Sequence, residues 1–282
     1  MRPGCECLVA GHARSGRGVS AAHHLPVAFA GDAEGIDVAA GVRIAPDARL
    51  ALVAPSHATP LGGALPIGRR LALLDWARPA NARVLEDDCD SEFRWEGKPL
   101  PPLATLDKAG QVIYCGTFSK TLAPALRIGF AIVPAPLVPA FVRLRTLTDR
   151  GTDAFTQATP AEFMRQGLLS PHIRKVRTEY ARRREALLEA MARVVRHATA
   201  LAAPGGLHMV ARLPDDMVDE AAAVRACRSR ELAVSPLRAY YPGTPGMRGL
   251  VIGFAATPTA MATEVARRLE AALVSVARTA GT

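Results

Sequence analysis

The residues of this chain best placed to do chemistry stand together in Gly116-Thr117-Phe118-Ser119-Lys120-Thr121, with Arg127 seven residues beyond the lysine. A lysine amine is nucleophilic when its surroundings keep it partly neutral, and its characteristic covalent chemistry is a Schiff base. Thr117, Ser119 and nearby backbone N–H groups can hold a phosphate, and Arg127 can clamp it through its fork of donors. The ordering suits an anionic cofactor held beside Lys120. Taken alone, a lysine in a turn is an ordinary solvated charge, so its setting decides the reading.

The elements that must position Lys120 are legible on both sides of it. Gln111-Val112-Ile113-Tyr114-Cys115 is β-branched and aromatic and reads as a buried strand leading into the lysine turn. Arg49 to Ala54 reads as another strand, ending at Pro55-Ser56-His57 and the turn Thr59-Pro60-Leu61-Gly62. Pro66 to Ala77 spaces Ile67, Leu71 and Leu74 along one face of an amphipathic helix, with proline near its first turn. Arg83-Val84-Leu85-Glu86 is the next strand and runs into the acidic cluster Glu86-Asp87-Asp88-Cys89-Asp90; Ile128 to Val133 is a further one. Strand, helix, strand, with active-looking residues at strand C-termini, is the pattern of an α/β fold with a mainly parallel sheet flanked by helices.

Helices are expected over Pro136–Leu147 and Pro160–Leu169, followed by a long one from about Ser170. From there the pattern shifts to a smaller α+β unit. Its expected parts are a strand Gly206–Leu213, a helix Met217–Glu231, a short strand Leu232–Pro236, a strand Gly249–Ala255 and a terminal helix Pro258–Arg278. The expected organisation is an unassigned leader over residues 1–31, a partial large domain over 32–169 and a small C-terminal α+β domain over 170–282.

With 282 residues, 49% of them hydrophobic, the chain can bury a sizeable core. A formal net charge of +9 permits contact with nucleic acid or anionic ligands. The basic residues are spread over helices, however, as at Arg174, Lys175, Arg177, Arg182 and Arg183, which reads as a solvated face. Cys5, Cys7, Cys89, Cys115 and Cys227 lack zinc-type or secreted-framework spacing, which points to reduced thiols and a cytoplasmic setting. No apolar run reaches the ~18 residues of a membrane span, and the N-terminus lacks a continuous apolar signal core, so neither membrane nor export is expected. His23-His24 has no further ligands at metal spacing, and no metal is expected. Gly11 to Gly18 resembles a glycine-rich phosphate loop only loosely.

Several blocks in order carry a family resemblance. They are Val84-Leu85-Glu86-Asp87-Asp88-Cys89-Asp90-Ser91-Glu92-Phe93-Arg94-Trp95, Lys98-Pro99-Leu100-Pro101-Pro102-Leu103 and Val112 to Leu122, with Arg69 to Ala77 and Gly206 to Leu213. From about Asp32 to its end the chain resembles the aminotransferase-like domain of the MocR-type regulators, in the GntR superfamily. That domain belongs to the fold-type I pyridoxal-phosphate enzymes. The resemblance implies a truncated fold-type I large domain, a smaller C-terminal α+β domain, and pyridoxal 5'-phosphate as cofactor. Lys120 becomes the Schiff-base lysine, and Asp87 the carboxylate that keeps the pyridine nitrogen protonated so that the ring can act as an electron sink. Thr117, Ser119 and Arg127 fall on phosphate-contacting positions, and His57 and Thr59 on the loop that faces the cofactor. Where the family has tyrosine in Glu-Asp-Asp-Tyr-Asp, this chain has Cys89, a weaker donor toward the cofactor's phenolic oxygen. The substrate carboxylate is expected to meet an arginine of the small domain, with Arg238 and Arg248 as candidates. Many aminotransferases carry that arginine inside the strand where this chain has Val251.

The resemblance also implies that the first part of the large domain should precede Asp32, bringing a glycine-rich phosphate-binding turn and an aromatic that stacks on the ring. Neither is legible in residues 1–31, and neither is the winged helix-turn-helix of the full regulators, so no DNA-binding domain is expected in this chain. Three functions fit. The first is a pyridoxal-phosphate-binding, aminotransferase-like protein acting on an amino acid or amine, as the homodimer that fold-type I proteins form. The second is an effector-sensing remnant of a MocR-type transcriptional regulator, without turnover. The third is a degenerate fragment that does not bind.

Overall fold

Short apolar runs separated by helices assemble into a six-stranded sheet that ends at the lysine turn. The structure, a computed structural model, describes residues 6–9, 25–28, 31–32, 35–148, 150–151, 153–215, 219–241 and 246–280. Gly11 to Gly18 and His23-His24 lie outside the described residues. The strands in chain order are β1 (Glu6–Val9), β2 (Leu25–Ala28), the small hairpin β3 (Gly31–Asp32) and β4 (Gly35–Ile36), β5 (Leu50–Val53), β6 (Arg83–Asp88), β7 (Val112–Thr117) and β8 (Gly129–Ile132). The sheet order is β2-β1-β5-β6-β7-β8, parallel throughout except for β8, which pairs antiparallel with β7. β1 and β2 fall inside the segment expected to be a leader without assigned structure. Glu6 and Pro26 interrupt their apolar runs, and the pairing of β1 with β5 joins runs far apart in sequence.

Among the described residues, this part of the chain has the α-helices α1 (Val38–Ile44), α2 (Ile67–Ala77) and the one-turn α3 (Leu103–Leu106). Leu73, Leu74 and Ala77 of α2 pack with Ala51 and Val53 of β5, Val84 of β6, and Leu103 into one buried cluster. Val84, Glu86 and Asp88 alternate as the buried residues of β6, so Leu85 and Asp87 face the other side. Glu86 is fully buried and accepts from the Leu103 and Ala104 N–H groups at 2.7 and 2.8 Å, an anion on the free N-terminus of α3. Burial pushes its carboxyl up, against the pull of those two N–H groups.

Beyond β8 come α4 (Val138–Thr148), α5 (Ala154–Arg165) and the long α6 (Leu169–Val194). The helix expected at Pro160–Leu169 lies earlier. Asp153 caps its start by accepting from Phe155 and Thr156 N–H, and Gly167, at φ +71°, turns the chain out of it. A second sheet, order β11-β12-β10-β9 and antiparallel throughout, uses β9 (Thr199–Leu201), β10 (His208–Arg212), β11 (Val234–Pro236) and β12 (Gly249–Gly253). Helices α7 (Glu220–Arg228) and α8 (Ala262–Ala280) complete this part. Leu187 and Met191 of α6, Leu250 and Ile252 of β12, and Leu269 and Leu273 of α8 form its core. Each such large side chain contributes about 1.5–3 kcal/mol on burial. Among the described residues no helix is long and apolar enough to cross a membrane.

One buried cation braces the loops around the lysine turn. Arg70 of α2, 1% exposed, donates to Leu65 O (2.7 Å), Pro101 O (2.6 Å) and Pro55 O (2.7 Å). Burial lowers its pKa, while Glu86 and Asp88 nearby favour the charge. Arg70→Ala should lower the unfolding free energy by about 3 kcal/mol or more, since hydrogen bonds to charged groups contribute roughly 1.5–3 kcal/mol each. Arg70→Lys should recover little, because one ammonium cannot reproduce the fork that reaches three carbonyls. Urea midpoints followed by circular dichroism test both, and a lysine variant as stable as the parent would refute the clamp.

Candidate functional site

Parallel strands deliver their C-terminal loops to one side of a sheet, and three of those loops meet here. The loop after β5 carries His57, the loop after β6 carries Cys89 and Asp90, and the turn after β7 carries Lys120. Asp90 joins all three. Its Oδ2 accepts from Lys120 Nζ at 2.9 Å, and its Oδ1 from His57 Nδ1 at 3.2 Å. Burial opposes the charge on Asp90, but the His57 and Lys120 contacts together outweigh it and hold the carboxyl well below the usual carboxylate range. His57 is buried against Gly206, which has φ +77°, and a Cβ there would lie 2.0 Å from His57 Cε1. Only glycine meets both demands.

On the β6 side of the site Cys89 Sγ donates to Asp87 Oδ1 at 2.6 Å. Burial, then the adjacent Asp87 carboxylate, pushes the thiol up to about 12. From the second sheet His208 donates Nε2–H to Pro60 O at 2.8 Å, and its ring lies 5.2 Å from that of His57. Burial, then the neighbouring His57, pushes His208 down to about 4, so its ring is neutral at neutral pH.

These groups surround a cavity of ≈ 420 Å³. Five of the sequence-predicted residues are on its wall: His57, Thr59, Asp87, Cys89 and Lys120. Thr117, Ser119 and Arg127 are not on that wall. Thr117 Oγ1 bonds Ile128 O at 3.3 Å and accepts from Ser119 N at 3.1 Å, and Arg127 occupies the left-handed region at φ 52°. The two small-domain arginines named from the sequence stand apart from this wall. Arg238 and Arg248 are exposed and off the wall; Arg248 is drawn to Asp215 O, 3.2 Å away, because its strand begins at the far end from the cavity. Val251 of β12 is on the wall instead.

Sequence reasoning missed Asp90, His208, Ser235 and Tyr240, all on the cavity wall. Asp90 lay inside the quoted acidic run, and its distinguishing mark is contact with Lys120 rather than spacing. His208 has no local signal, since its partner Pro60 is 148 residues away. Among the described residues no group of three or more His, Cys, Asp or Glu side chains could hold a metal, and Cys89, Cys115 and Cys227 are free thiols.

Residues 32–269 match the family described as aminotransferase class I and II. The chain belongs to that family. Members of the class I and II aminotransferase family depend on pyridoxal phosphate. The chain is 36% identical over 211 residues to the probable rhizopine catabolism regulatory protein MocR of Rhizobium meliloti, covering 74% of this chain and 43% of that protein. It is 36% identical over 210 residues to the pyridoxine biosynthesis transcriptional regulator PdxR of Corynebacterium glutamicum, covering 74% and 45%. The match lies in the aminotransferase-like region of such MocR-type regulators, and the chain spans about half the length of the curated relatives it matches. Among solved structures, Pyrococcus horikoshii kynurenine aminotransferase superposes with a TM-score of 0.85 at 25% identity, over 98% of this chain and 70% of that one. The α-aminoadipate aminotransferase LysN of Thermus thermophilus gives 0.86 at 25%, over 98% and 72%. The fold of this aminotransferase-family chain is therefore fold-type I, α/β with a mainly parallel sheet.

The Asp90 pair has a pH signature. Its folded pKa is depressed, so its ionised contacts add stability that is complete above about pH 4, the unfolded value, and is lost as pH falls through the folded value. Asp90→Asn should cost about 2 kcal/mol at pH 7, less than for a fully enclosed pair because Lys120 is 35% exposed. The gap from wild type should narrow below pH 4. Urea titrations at pH 7 and pH 3 check this, and a gap that widens in acid would contradict it.

Proposed function

We propose that this protein binds pyridoxal 5'-phosphate in the ≈ 420 Å³ cavity and uses it for aminotransferase chemistry on an amino acid or amine. The observation that carries the reading is that Asp87, a carboxylate on β6, and Lys120, an amine in the turn after the neighbouring β7, share one cavity wall. The donor set fits the reactive end of that cofactor: a carboxylate for the ring nitrogen, an amine for the aldehyde, and a cavity within the roughly 300–1,000 Å³ of small-molecule sites. His57 and Thr59 line the same wall, while Thr117, Ser119 and Arg127, the phosphate positions that the family resemblance implies, flank the Lys120 turn off that wall.

Bound there, the cofactor supplies an electron sink for charge that develops on the substrate's α-carbon. Asp87 holds a proton at the ring nitrogen. Lys120 would be the amine that holds the cofactor's aldehyde end and, when free, the general base that moves the substrate's α-proton. Asp90, 2.9 Å from Nζ, receives the lysine in its protonated form and keeps it over the cavity. Cys89 stays a protonated thiol at neutral pH, so it acts as a donor and not as a nucleophile. Similarity to the regulators MocR and PdxR favours a second reading of the same site, effector binding without turnover.

A second copy of the chain is the partner that the surface supports. Among the described residues, ten of the fifteen large exposed apolar side chains lie between Phe130 and Leu168, including Ile132, Val142, Leu147 and Phe155. They include the edge strand β8 and helix α4, which buries no residue of its own. At ~100 Å² each they expose roughly 1,000 Å², more than the ~300–600 Å² patch of a typical monomer and enough for the ~800 Å² per partner of a stable dimer.

Addition of pyridoxal phosphate followed by borohydride should add one cofactor to the Lys120 peptide by mass spectrometry, and none in Lys120→Ala. Unlabelled wild type would reject both readings. Product formed from an amino acid and a keto acid separates turnover from sensing. Light scattering should report a dimer, and the double variant Leu147→Glu/Phe155→Glu should be monomeric with the same far-UV spectrum. A monomeric wild type would refute the interface.

A further inference from the structure

Behind Asp90, away from the large cavity, three buried side-chain atoms have no partner among the described residues: Ser56 Oγ, His57 Nε2 and Arg94 Nε. All three residues line one small enclosure, together with Asp90 and Gly205. The volume open to a water's centre there is ≈ 10 Å³, about what one water needs. His57 itself is 4% exposed.

The chemistry of these atoms restricts the guest. Arg94 Nε can only donate. His57 Nδ1 faces the Asp90 carboxylate, which can only accept, so Nδ1 carries a proton and Nε2 is the ring atom left to bond a guest. Ser56 Oγ can do either. An anion would face the Asp90 carboxylate on the same wall, and a metal cation would meet the Arg94 guanidinium. A single neutral molecule that can both accept and donate meets all three atoms. We propose that this enclosure is a binding site for one ordered water, which accepts from Arg94 Nε–H and bonds His57 Nε2 and Ser56 Oγ.

The water would close a chain that starts at Lys120: Nζ to Asp90 at 2.9 Å, Asp90 to His57 at 3.2 Å, then His57 through the water to Ser56 and Arg94. Its role is positioning. By giving Nε2 a partner it fixes one orientation of the imidazole, and so the direction in which Asp90 presents its second oxygen to Lys120. Arg94 and Gly205 also form a β-bridge, so the water's anchor belongs to the contact between the two sheet systems.

Gly205 provides a variant. A Cβ there would lie 3.4 Å from Phe93 O and 3.5 Å from His57 Cδ2, ordinary contact distances, on the wall of this enclosure. Gly205→Ala should therefore displace the water with little strain. A crystal structure of the full chain at neutral pH, at a resolution that shows solvent, should contain one peak within hydrogen-bond distance of the three atoms. Oxygen-17 relaxation dispersion should count one fewer long-lived water in Gly205→Ala than in wild type. Wild-type density with the enclosure closed by direct bonds among the three side chains, or holding an anomalously scattering chloride, would overturn the proposal. So would equal water counts in the two folded proteins. The wild-type structure decides the matter even if the alanine variant does not fold.

Discussion

Asp90 is the constraint on which the arrangement around Lys120 rests. The loops after β5, β6 and β7 leave the sheet where its ladder ends, so backbone pairing no longer fixes their relative positions. One carboxylate with one oxygen on Lys120 and the other on His57 ties them together. Buried ion pairs return little net stability, because desolvation offsets most of their attraction, but losing one partner leaves a charge without compensation. The contribution of Asp90 is therefore one of geometry. Arg70 does for the backbone what Asp90 does for the side chains, holding the Pro55 carbonyl just ahead of His57 from inside the core.

The acidic run illustrates how a strand divides labour. In Glu86-Asp87-Asp88 the period of two sends the first and third carboxylates into the protein and the middle one to the cavity. Glu86 meets the N-terminus of α3, and Asp88 accepts from Tyr114 OH at 2.8 Å and Ser91 Oγ at 2.9 Å. Both inner acids are thus satisfied by structural partners. That leaves Asp87 and Cys89, two residues apart, together on the cavity side.

Much of this was legible in the sequence, and what was not has physical causes. The runs at β5, β6, β7 and β8, the extent of helix α2 and the strands β10, β11 and β12 were readable as apolar runs or periods bounded by turn residues. The buried face of α2 was not, since Leu73, Leu74 and Ala77 are buried with Arg70 while Ile67 and Leu71 are exposed. The three-residue β9 was not read either, and in β1 and β2 Glu6 and Pro26 interrupt the apolar run. Lys120 and Asp87 could be picked out by motif. Asp90 could not be told from its acidic neighbours, since what sets it apart is the proximity of two residues 30 and 33 positions away. Arg248 lies off the wall for a related reason: chain position near a strand does not say which end of that strand faces the site, and Arg248 precedes the end of β12 away from the cavity.

The groups that touch the cavity are mostly anchored from the side facing away from it. His57 is held by Asp90 and by the close approach of Gly206, His208 by Pro60 O, and Lys120 by Asp90. Cys89 differs, because its thiol proton goes to Asp87, another member of the wall. A phenol at that position would extend beyond Asp87 toward the cavity, whereas the short thiol stays beside it. The substitution therefore changes which atom receives the donor without disturbing the strand that carries it. Position 89 lies past the end of the β6 ladder, where backbone pairing does not depend on the side chain it carries.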